Sequence, residues 1–192
     1  QKKLYAFGKN AAFEANSVSV MNDGSVWIST MQGTIEEYNP QRKVFKSHFV
    51  MSKTNPQESS WATKTLDVGN NKILVGTANQ GIKLFDRTTG ITKEVLTFND
   101  DKTSIYVRDI IQAQNDEFWI ATESGVYIYS SKQVLRLKKQ YSNPYSLTDN
   151  AIYTVFKDRE NGIWAGTYFG GVNYYSSQYS IFTKYFPQRD NN

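Results

Sequence analysis

The stretch NGIWAGTYFGGVNYY, residues 161–175, decides the fold because it recurs along the chain. Related stretches occupy residues 22–38 (NDGSVWISTMQGTIEEY), 70–85 (NNKILVGTANQGIKLF) and 115–129 (NDEFWIATESGVYIY). One threonine marks the register of each stretch, and successive threonines are 47, 45 and 45 residues apart. Periods of about 20–50 residues are typical of solenoids, propellers and repeat arrays. We therefore expect four copies of one structural unit.

Three positions of the unit keep their residue type. They are a tryptophan, a threonine three residues later and a glycine in the following turn: Trp27, Trp119 and Trp164, with Leu74 in the second unit; Thr30, Thr77, Thr122 and Thr167; Gly33, Gly81, Gly125 and Gly171. A ring can fill the space between neighbouring sheets, a threonine hydroxyl can bond its turn backbone, and glycine accepts positive φ. Because tandem packing needs them in every unit, we interpret these positions as structural.

Each unit holds four short apolar or alternating runs separated by polar turns, and no segment shows capped helical spacing. In the fourth unit the first run is 151–156 and the last is 181–186. This predicts an all-β fold of four consecutive four-stranded antiparallel β-propeller blades, part of a larger propeller, since closed propellers have about 4–8 blades. The expected boundaries are 1–12 for an outer strand of a preceding blade and a linker, 13–50, 51–98, 99–141 and 142–187 for the four blades, and 188–192 for a linker.

Composition excludes several function classes. The 192 residues include no cysteine and a single histidine, His48, so disulfides, thiolate catalysis and multi-histidine metal sites are ruled out, and we expect no metal or cofactor. The net charge of +4 is scattered, which does not favour nucleic-acid binding. No apolar run approaches the roughly 20 residues of a membrane helix. The chain begins at Gln1 without a signal peptide, and we expect it to be a piece of a longer protein.

The fourth unit carries a family resemblance. Residues 146–175, SLTDNAIYTVFKDRENGIWAGTYFGGVNYY, are similar to a "two-component regulator propeller" blade near the end of the first propeller in hybrid two-component sensors of Bacteroides-type bacteria. Residues 182–187, FTKYFP, resemble the run that leads into the second propeller of such sensors. The resemblance extends over about residues 13–187, is more generic in the first three units, and weakens at Leu74, where the tryptophan is replaced.

The resemblance implies a long membrane-spanning parent. Outside the cytoplasm it would carry two propellers and a small Ig-like domain, and inside it a histidine kinase, a receiver and a helix-turn-helix module. The chain would be the later half of the first propeller, in the periplasm, within a homodimeric sensor of glycan breakdown products that switches on polysaccharide-utilisation genes. No kinase-type helix surrounds His48 and no Gly-rich ATP loop is present, so we predict no catalytic residue in this region.

Candidate ligand-binding residues lie in loops that meet at one propeller rim. These are the loops before each innermost strand and the loops joining second and third strands, and sugars bind where rings and a few polar groups converge. The candidates are Trp61, Tyr106, Arg108, Asn150, Tyr168, Gln32, Asn79 and Glu123. Trp61 lies outside the repeated tryptophan position, and Arg108 can pair with a carboxylate or sulfate of an acidic glycan. The alternative is that these rings only pack loops together.

Two other functions stay open at this point. Tyr168 and Phe169 in a Gly-rich turn are compatible with an interaction scaffold that has no ligand of its own, contacting another domain or a second subunit. Residues 22–27 partly match the Asp-box turn of sialidases, and a carbohydrate-active propeller enzyme would need two carboxylates across a cleft. The acidic residues near the rim are Asp100, Asp101, Asp109, Glu123 and Asp149. Because the propeller fold does not imply catalysis, the enzyme is the less favoured alternative.

Overall fold

The computed structural model describes residues 14–52 and 60–177, which form four antiparallel sheets. In each sheet the strands are hydrogen-bonded in chain order. The strands are β1 Ala15–Val20, β2 Val26–Thr30, β3 Thr34–Asn39 and β4 Val44–Phe49; β5 Ala62–Asp67, β6 Lys72–Thr77, β7 Ile82–Asp86 and β8 Thr92–Leu96; β9 Val107–Gln114, β10 Glu117–Thr122, β11 Gly125–Tyr129 and β12 Val134–Leu137; and β13 Ile152–Lys157, β14 Ile163–Thr167 and β15 Val172–Tyr175. The predicted all-β fold of propeller blades is confirmed.

Parts of the prediction fall outside the described residues. The expected strand at 181–186, which would complete the fourth blade, and the expected outer strand within 1–12 are among them. The blade boundaries given above stay predictions. In the described part of the chain, no helix has the length and hydropathy needed to span a lipid bilayer.

Aspartates fix the hairpins between the first and second strands. In the first blade the Asp23 carboxylate accepts hydrogen bonds from the Ser25 hydroxyl (2.6 Å) and the Ser25 backbone N–H (2.9 Å). These two bonds, with Arg87 close by, lower the pKa of Asp23 to about 2. In the fourth blade Asp158 accepts from the Trp164 indole N–H (2.7 Å). Such turns set the register that places the tryptophan opposite its cross-strand neighbours.

The apolar core lies between consecutive blades. Trp27 of the first blade is fully buried among Ile73, Val75 and Phe85 of the second. Leu74 of the second blade faces the third, in a cluster of Leu74, Ile82, Ile105, Val107, Ile110, Phe118, Ile120 and Tyr127. Trp119 of the third blade, 3% exposed, packs with apolar residues of the fourth. Trp164 occupies the same position in the fourth blade but is 42% exposed, because no further blade lies among the described residues.

The repeated threonines and glycines close the hairpins between second and third strands. Each threonine hydroxyl donates to a backbone oxygen across its turn: Thr30 to Thr34 (3.1 Å), Thr77 to Gly81 (2.8 Å), Thr122 to Gly125 (2.7 Å) and Thr167 to Gly171 (2.9 Å). Gly33, Gly81, Gly125 and Gly171 all have positive φ, between 61° and 112°. At Gly81 and Gly125 a Cβ would also collide with the carbonyl oxygens of Leu96 and Leu137. Only glycine fits these two turns.

A β-bulge interrupts the innermost strand of every blade near its first residue. The pairing skips one residue each time, between Ala15 and Ser17, Ala62 and Lys64, Val107 and Asp109, and Ile152 and Thr154. The skipped residues are Asn16, Thr63, Arg108 and Tyr153, each 14 positions before the repeated threonine. A bulge leaves its extra residue unpaired and re-aims the side chain.

Candidate functional site

A repeated backbone hydrogen bond places the bulges at one end of the blades. The residue after each threonine donates to the carbonyl oxygen two positions before the bulge residue: Met31 to Glu14 (2.9 Å), Ala78 to Trp61 (3.0 Å), Glu123 to Tyr106 (3.2 Å) and Tyr168 to Ala151 (2.9 Å). We call this end the bulge rim; it comprises residues 14–16, 31, 61–63, 78, 106–108, 123, 151–153 and 168–169. In the third and fourth blades the bulge side chain also contacts the side chain that follows the threonine, Arg108 with Glu123 and Tyr153 with Tyr168.

Arg108 is the centre of the bulge rim in the third blade. Its guanidinium carbon lies 4.2 Å from the ring centroid of Tyr106 and 4.6 Å from that of Tyr153 in the next blade. Its Nη2 is paired with the carboxylate oxygen Oε1 of Glu123. Its Nε is buried and has no hydrogen-bond partner within the described part of the chain. Two rings thus hold a cation whose hydrogen-bonding capacity is only partly used.

Aromatic rings continue from Arg108 in both directions along the rim. Tyr153 stacks on Tyr168, with centroids 5.2 Å apart and planes 15° from parallel, and Tyr168 meets Phe169 edge-on at 4.2 Å. On the other side Trp61 of the second blade meets Tyr106 edge-on at 6.1 Å. Tyr153, Tyr168 and Phe169 are 44%, 58% and 85% exposed. We call Trp61, Tyr106, Tyr153, Tyr168 and Phe169 the ring row; it crosses three blades.

The structure brings together five of the eight candidates from the sequence: Trp61, Tyr106, Arg108, Glu123 and Tyr168. The other three make hydrogen bonds elsewhere in the loops. The Gln32 side-chain oxygen accepts from the Glu14 N–H (3.1 Å), the Asn79 N–H donates to the Ser60 hydroxyl (3.3 Å), and the Asn150 side-chain oxygen accepts from the Lys139 N–H (2.8 Å). The roles of all eight in ligand binding remain predictions.

Sequence reasoning missed Tyr153 as a site residue. It lies inside the apolar run 151–156, where strict alternation gives no reason to single it out. The bulge breaks that alternation and turns Tyr153 toward Tyr168 and Arg108. The signal was the spacing: counting back 14 residues from Thr167 reaches Tyr153, as counting back from Thr122 reaches Arg108.

A polar tie fixes the strands directly beneath the ring row. Asp109 follows Arg108, and its Oδ1 lies 3.0 Å from the Lys64 ammonium of the second blade. Its Oδ2 accepts from the Thr154 hydroxyl (2.9 Å) and the Val155 N–H (3.3 Å) of the fourth blade. One carboxylate therefore joins the innermost strands of three blades, which limits how far Arg108 and Tyr153 can move relative to each other.

The Asp149 carboxylate bonds the backbone of the turn at Phe169. Asp149 accepts hydrogen bonds from the backbone N–H groups of Phe169 (3.1 Å) and Asn150 (2.7 Å). The bond from Phe169, with the other backbone bonds, lowers the pKa of Asp149. A glycosidase general acid needs a raised pKa to stay protonated near neutral pH. Asp149 therefore anchors the Phe169 turn as a carboxylate and is unsuited to donate a proton.

Comparisons with known proteins agree with this architecture. Residues 146–169 match the family described as "Two component regulator propeller". Histidine kinase P4 of Formosa agariphila is 28% identical over 161 residues, which are 80% of this chain and 12% of that protein.

Among solved structures, the extracellular domain of the putative hybrid two component system BT4673 from B. thetaiotaomicron has a TM-score of 0.73 at 20% identity, over 83% of this chain and 21% of that one. The WD40 β-propeller domain of Doa1 has a TM-score of 0.61 at 17% identity, over 88% and 52%. Residues 146–169 of the fourth blade thus match a two-component regulator propeller repeat, and the chain spans 12% of the similar histidine kinase and 21% of the similar B. thetaiotaomicron domain.

Proposed function

We propose that this chain of two-component regulator propeller blades is a non-catalytic part of the extracytoplasmic sensor region of a hybrid two-component signalling protein, and that its bulge rim binds an oligosaccharide. The ring row with Arg108 at its centre is the observation that carries the binding proposal. The parent protein is a homodimeric histidine kinase with a second propeller, and it controls polysaccharide-utilisation genes. The chain lies in the periplasm in this proposal.

The ring row has the chemistry that sugar recognition uses. Pyranose rings present apolar faces that pack on aromatic rings, while a few convergent polar groups fix their orientation. Tyr168 and Phe169 expose most of their surface, and Tyr153 links them to Arg108, which is paired with Glu123. These side chains come from two adjacent blades, so an oligosaccharide of a few residues can contact both.

Signalling needs the ligand to favour one arrangement of the propeller. A ligand shifts an equilibrium only by the difference in its affinity for the two states. A saccharide that bridges the third and fourth blades gains contacts only when Tyr106, Arg108, Tyr153 and Tyr168 are close together. Binding would therefore favour the packed arrangement, which the Asp109 tie already stabilises, and bias the kinase dimer across the membrane.

The two-component placement is supported by the family match in the fourth blade and by the similarity to a histidine kinase along most of the chain. The extracellular location of the similar B. thetaiotaomicron domain is consistent with a periplasmic position.

Oligosaccharide binding is tested by titrating the 192-residue chain with neutral and acidic oligosaccharides of about four residues, using calorimetry. A binder is then titrated into Tyr168→Ala. We expect affinity to fall about five-fold or more, since stacked rings contribute about 0.5–1.5 kcal/mol beyond the area they bury. Tyr141→Ala is the matched control, because Tyr141 is an exposed tyrosine whose ring lies 5.1 Å from the Lys139 ammonium and outside the ring row. Equal losses in the two variants would contradict rim binding.

The interaction scaffold has its own supporting observation. Phe156, Trp164 and Tyr174 form a cross-strand row on the outer face of the fourth blade, and all three are exposed. The corresponding faces of Trp27 and Trp119 are covered by the next blade. Packing of this row against the rest of the propeller is a second candidate function, and hydrogen exchange of β14 in the parent protein tests it: rapid exchange there would argue against a covered face.

A further inference from the structure

We infer that the ligand of the bulge rim carries an anionic group, a carboxylate or a sulfate on a saccharide ring, which displaces Glu123 and pairs with Arg108. This inference rests on the proposed function, because it names the ligand class of the same site.

The position of Arg108 is set before any ligand arrives. Its guanidinium lies against the rings of Tyr106 and Tyr153, 4.2 Å and 4.6 Å from their centroids, and its strand is held by the Asp109 tie. A planar guanidinium in contact with two rings is restricted in orientation, so little side-chain entropy is lost when an anion binds. Lys64, the cation beneath the rim, is already paired with Asp109.

Glu123 pairs with only one of the two nitrogens, Nη2 and Nε, on one edge of the Arg108 guanidinium. Its Oε1 accepts from Nη2, while Nε of Arg108 is buried and unpaired within the described residues. Carboxylates and sulfates accept two parallel N–H bonds from adjacent guanidinium nitrogens when they approach in the plane. An anionic ligand group in the place of Glu123 can accept from Nη2 and Nε together. It therefore gains a hydrogen bond that the internal carboxylate does not make.

Glu123 can leave without disturbing the fold. Its side chain is exposed, and its backbone N–H remains bonded to the Tyr106 carbonyl oxygen in the hairpin turn. Displacement exchanges one ion pair for another, so the charge of Arg108 stays compensated. A neutral hydroxyl would have to replace a carboxylate on a cation, which is unfavourable because charge-assisted hydrogen bonds are the stronger ones. Glu123 therefore disfavours the binding of neutral ligand groups at Arg108. Neutral groups can still pack on the ring row.

The test compares two oligosaccharides that differ only in charge. The probes are a tetramer of galacturonic acid and its carboxyl-reduced neutral counterpart, titrated calorimetrically into the 192-residue chain. A sulfated neutral tetramer and inorganic sulfate are further arms that separate sulfate on a sugar from the free ion. We expect an anionic tetramer to bind at least ten-fold more tightly than the neutral one, and to weaken as salt rises from 0.05 to 0.5 M.

Two substitutions assign the effect to the ion pair. Glu123→Gln should tighten binding of the anionic tetramer about two- to five-fold, which is what a partly exposed ion pair contributes. Arg108→Gln should abolish the preference for the anionic tetramer, with thermal melting to check its fold. Glu160→Gln is the matched control, since Glu160 lies in the hairpin between β13 and β14 at the opposite end of the blade.

The outcomes separate the two proposals. If both tetramers bind equally, or if Glu123→Gln weakens the anionic one, the inference fails while oligosaccharide binding stands. If neither tetramer nor the sulfated one binds at millimolar concentration, both fail. Binding of inorganic sulfate as tightly as the sulfated tetramer would overturn the saccharide as the carrier of the anion.

Discussion

Trp119 and Trp164 occupy the same position in adjacent blades, and their substitution by alanine should lower the free energy of unfolding by different amounts. Trp119 is 3% exposed, lies 5.1 Å from the Tyr175 ring and donates to Glu117. Trp164 is 42% exposed, lies 4.6 Å from the Tyr174 ring and donates to Asp158. The polar contacts are similar, but Tyr175 belongs to the blade that covers Trp119, whereas Tyr174 lies in the same blade as Trp164. The pair therefore compares the same position with and without a covering blade.

The magnitude follows from burial. Removing a buried tryptophan costs about 3–5 kcal/mol of unfolding free energy, and we expect this for Trp119→Ala. Scaling by the buried fraction gives roughly 2–3 kcal/mol for Trp164→Ala, since the transfer term follows the area removed from water. The free energy of unfolding is measured by urea denaturation followed by circular dichroism, with comparison restricted to variants of equal m-value. Light scattering checks that every variant has the same oligomeric state.

Equal costs for the two variants would refute the reasoning. Such a result would mean that Trp164 is covered in solution, either by residues outside the described part of the chain or by a second copy. Trp27→Ala provides an internal check, because Trp27 is fully buried against the second blade and should cost as much as Trp119→Ala.

Three further predictions concern the hairpins and the tie between blades. Asp109→Asn should lower the unfolding free energy by about 1–3 kcal/mol in urea melts, because the bonds from Lys64 and Thr154 lose their charged acceptor; a change within error would show that the tie is not needed. Gly125→Ala should destabilise the chain by more than 1 kcal/mol, since a Cβ there is both strained and obstructed. Gly24→Ala should destabilise it less, because Gly24 has φ 79° but open space around it. The reverse order in thermal melts would be inconsistent with the turn geometry. The depressed pKa of Asp23 means that its stabilising contribution is complete above the ordinary pKa of 3.8 and is lost as pH falls through about 2. Asp23→Asn should therefore flatten the stability profile between pH 4 and 2, and an unchanged acid profile would argue against the assigned bonds.

The repeat was sufficient to predict the blades. The spacing of Thr30, Thr77, Thr122 and Thr167 identified the unit, because a sheet that packs on copies of itself needs the same close contacts in each copy. The position that varies is informative as well: Leu74 stands where other blades have tryptophan and still lies buried against the next blade. Burial at this position requires apolar volume, which leucine also supplies.

The rim was less predictable, and the reason is local geometry. Trp61, Tyr106 and Tyr168 were found because they fall in loops, which are expected to form a rim in any propeller. Tyr153 falls in a strand, where a period of two decides which side a residue takes. A bulge changes that side, and its position follows from the pairing of two strands. Alternation along one strand therefore could not place the Tyr153 ring beside Arg108.

The unpaired residue in each innermost strand separates the scaffold from its specificity. Its neighbours are committed to the ladder or to the core, so changing them alters folding. Asn16, Thr63, Arg108 and Tyr153 are not paired in the ladder, and the four blades have an amide, a hydroxyl, a cation and a ring there on one unchanged backbone pattern. Each blade thus adds to the rim one bulge position whose residue type can vary without changing the strand pairing. New ligand preferences can arise by single substitutions there.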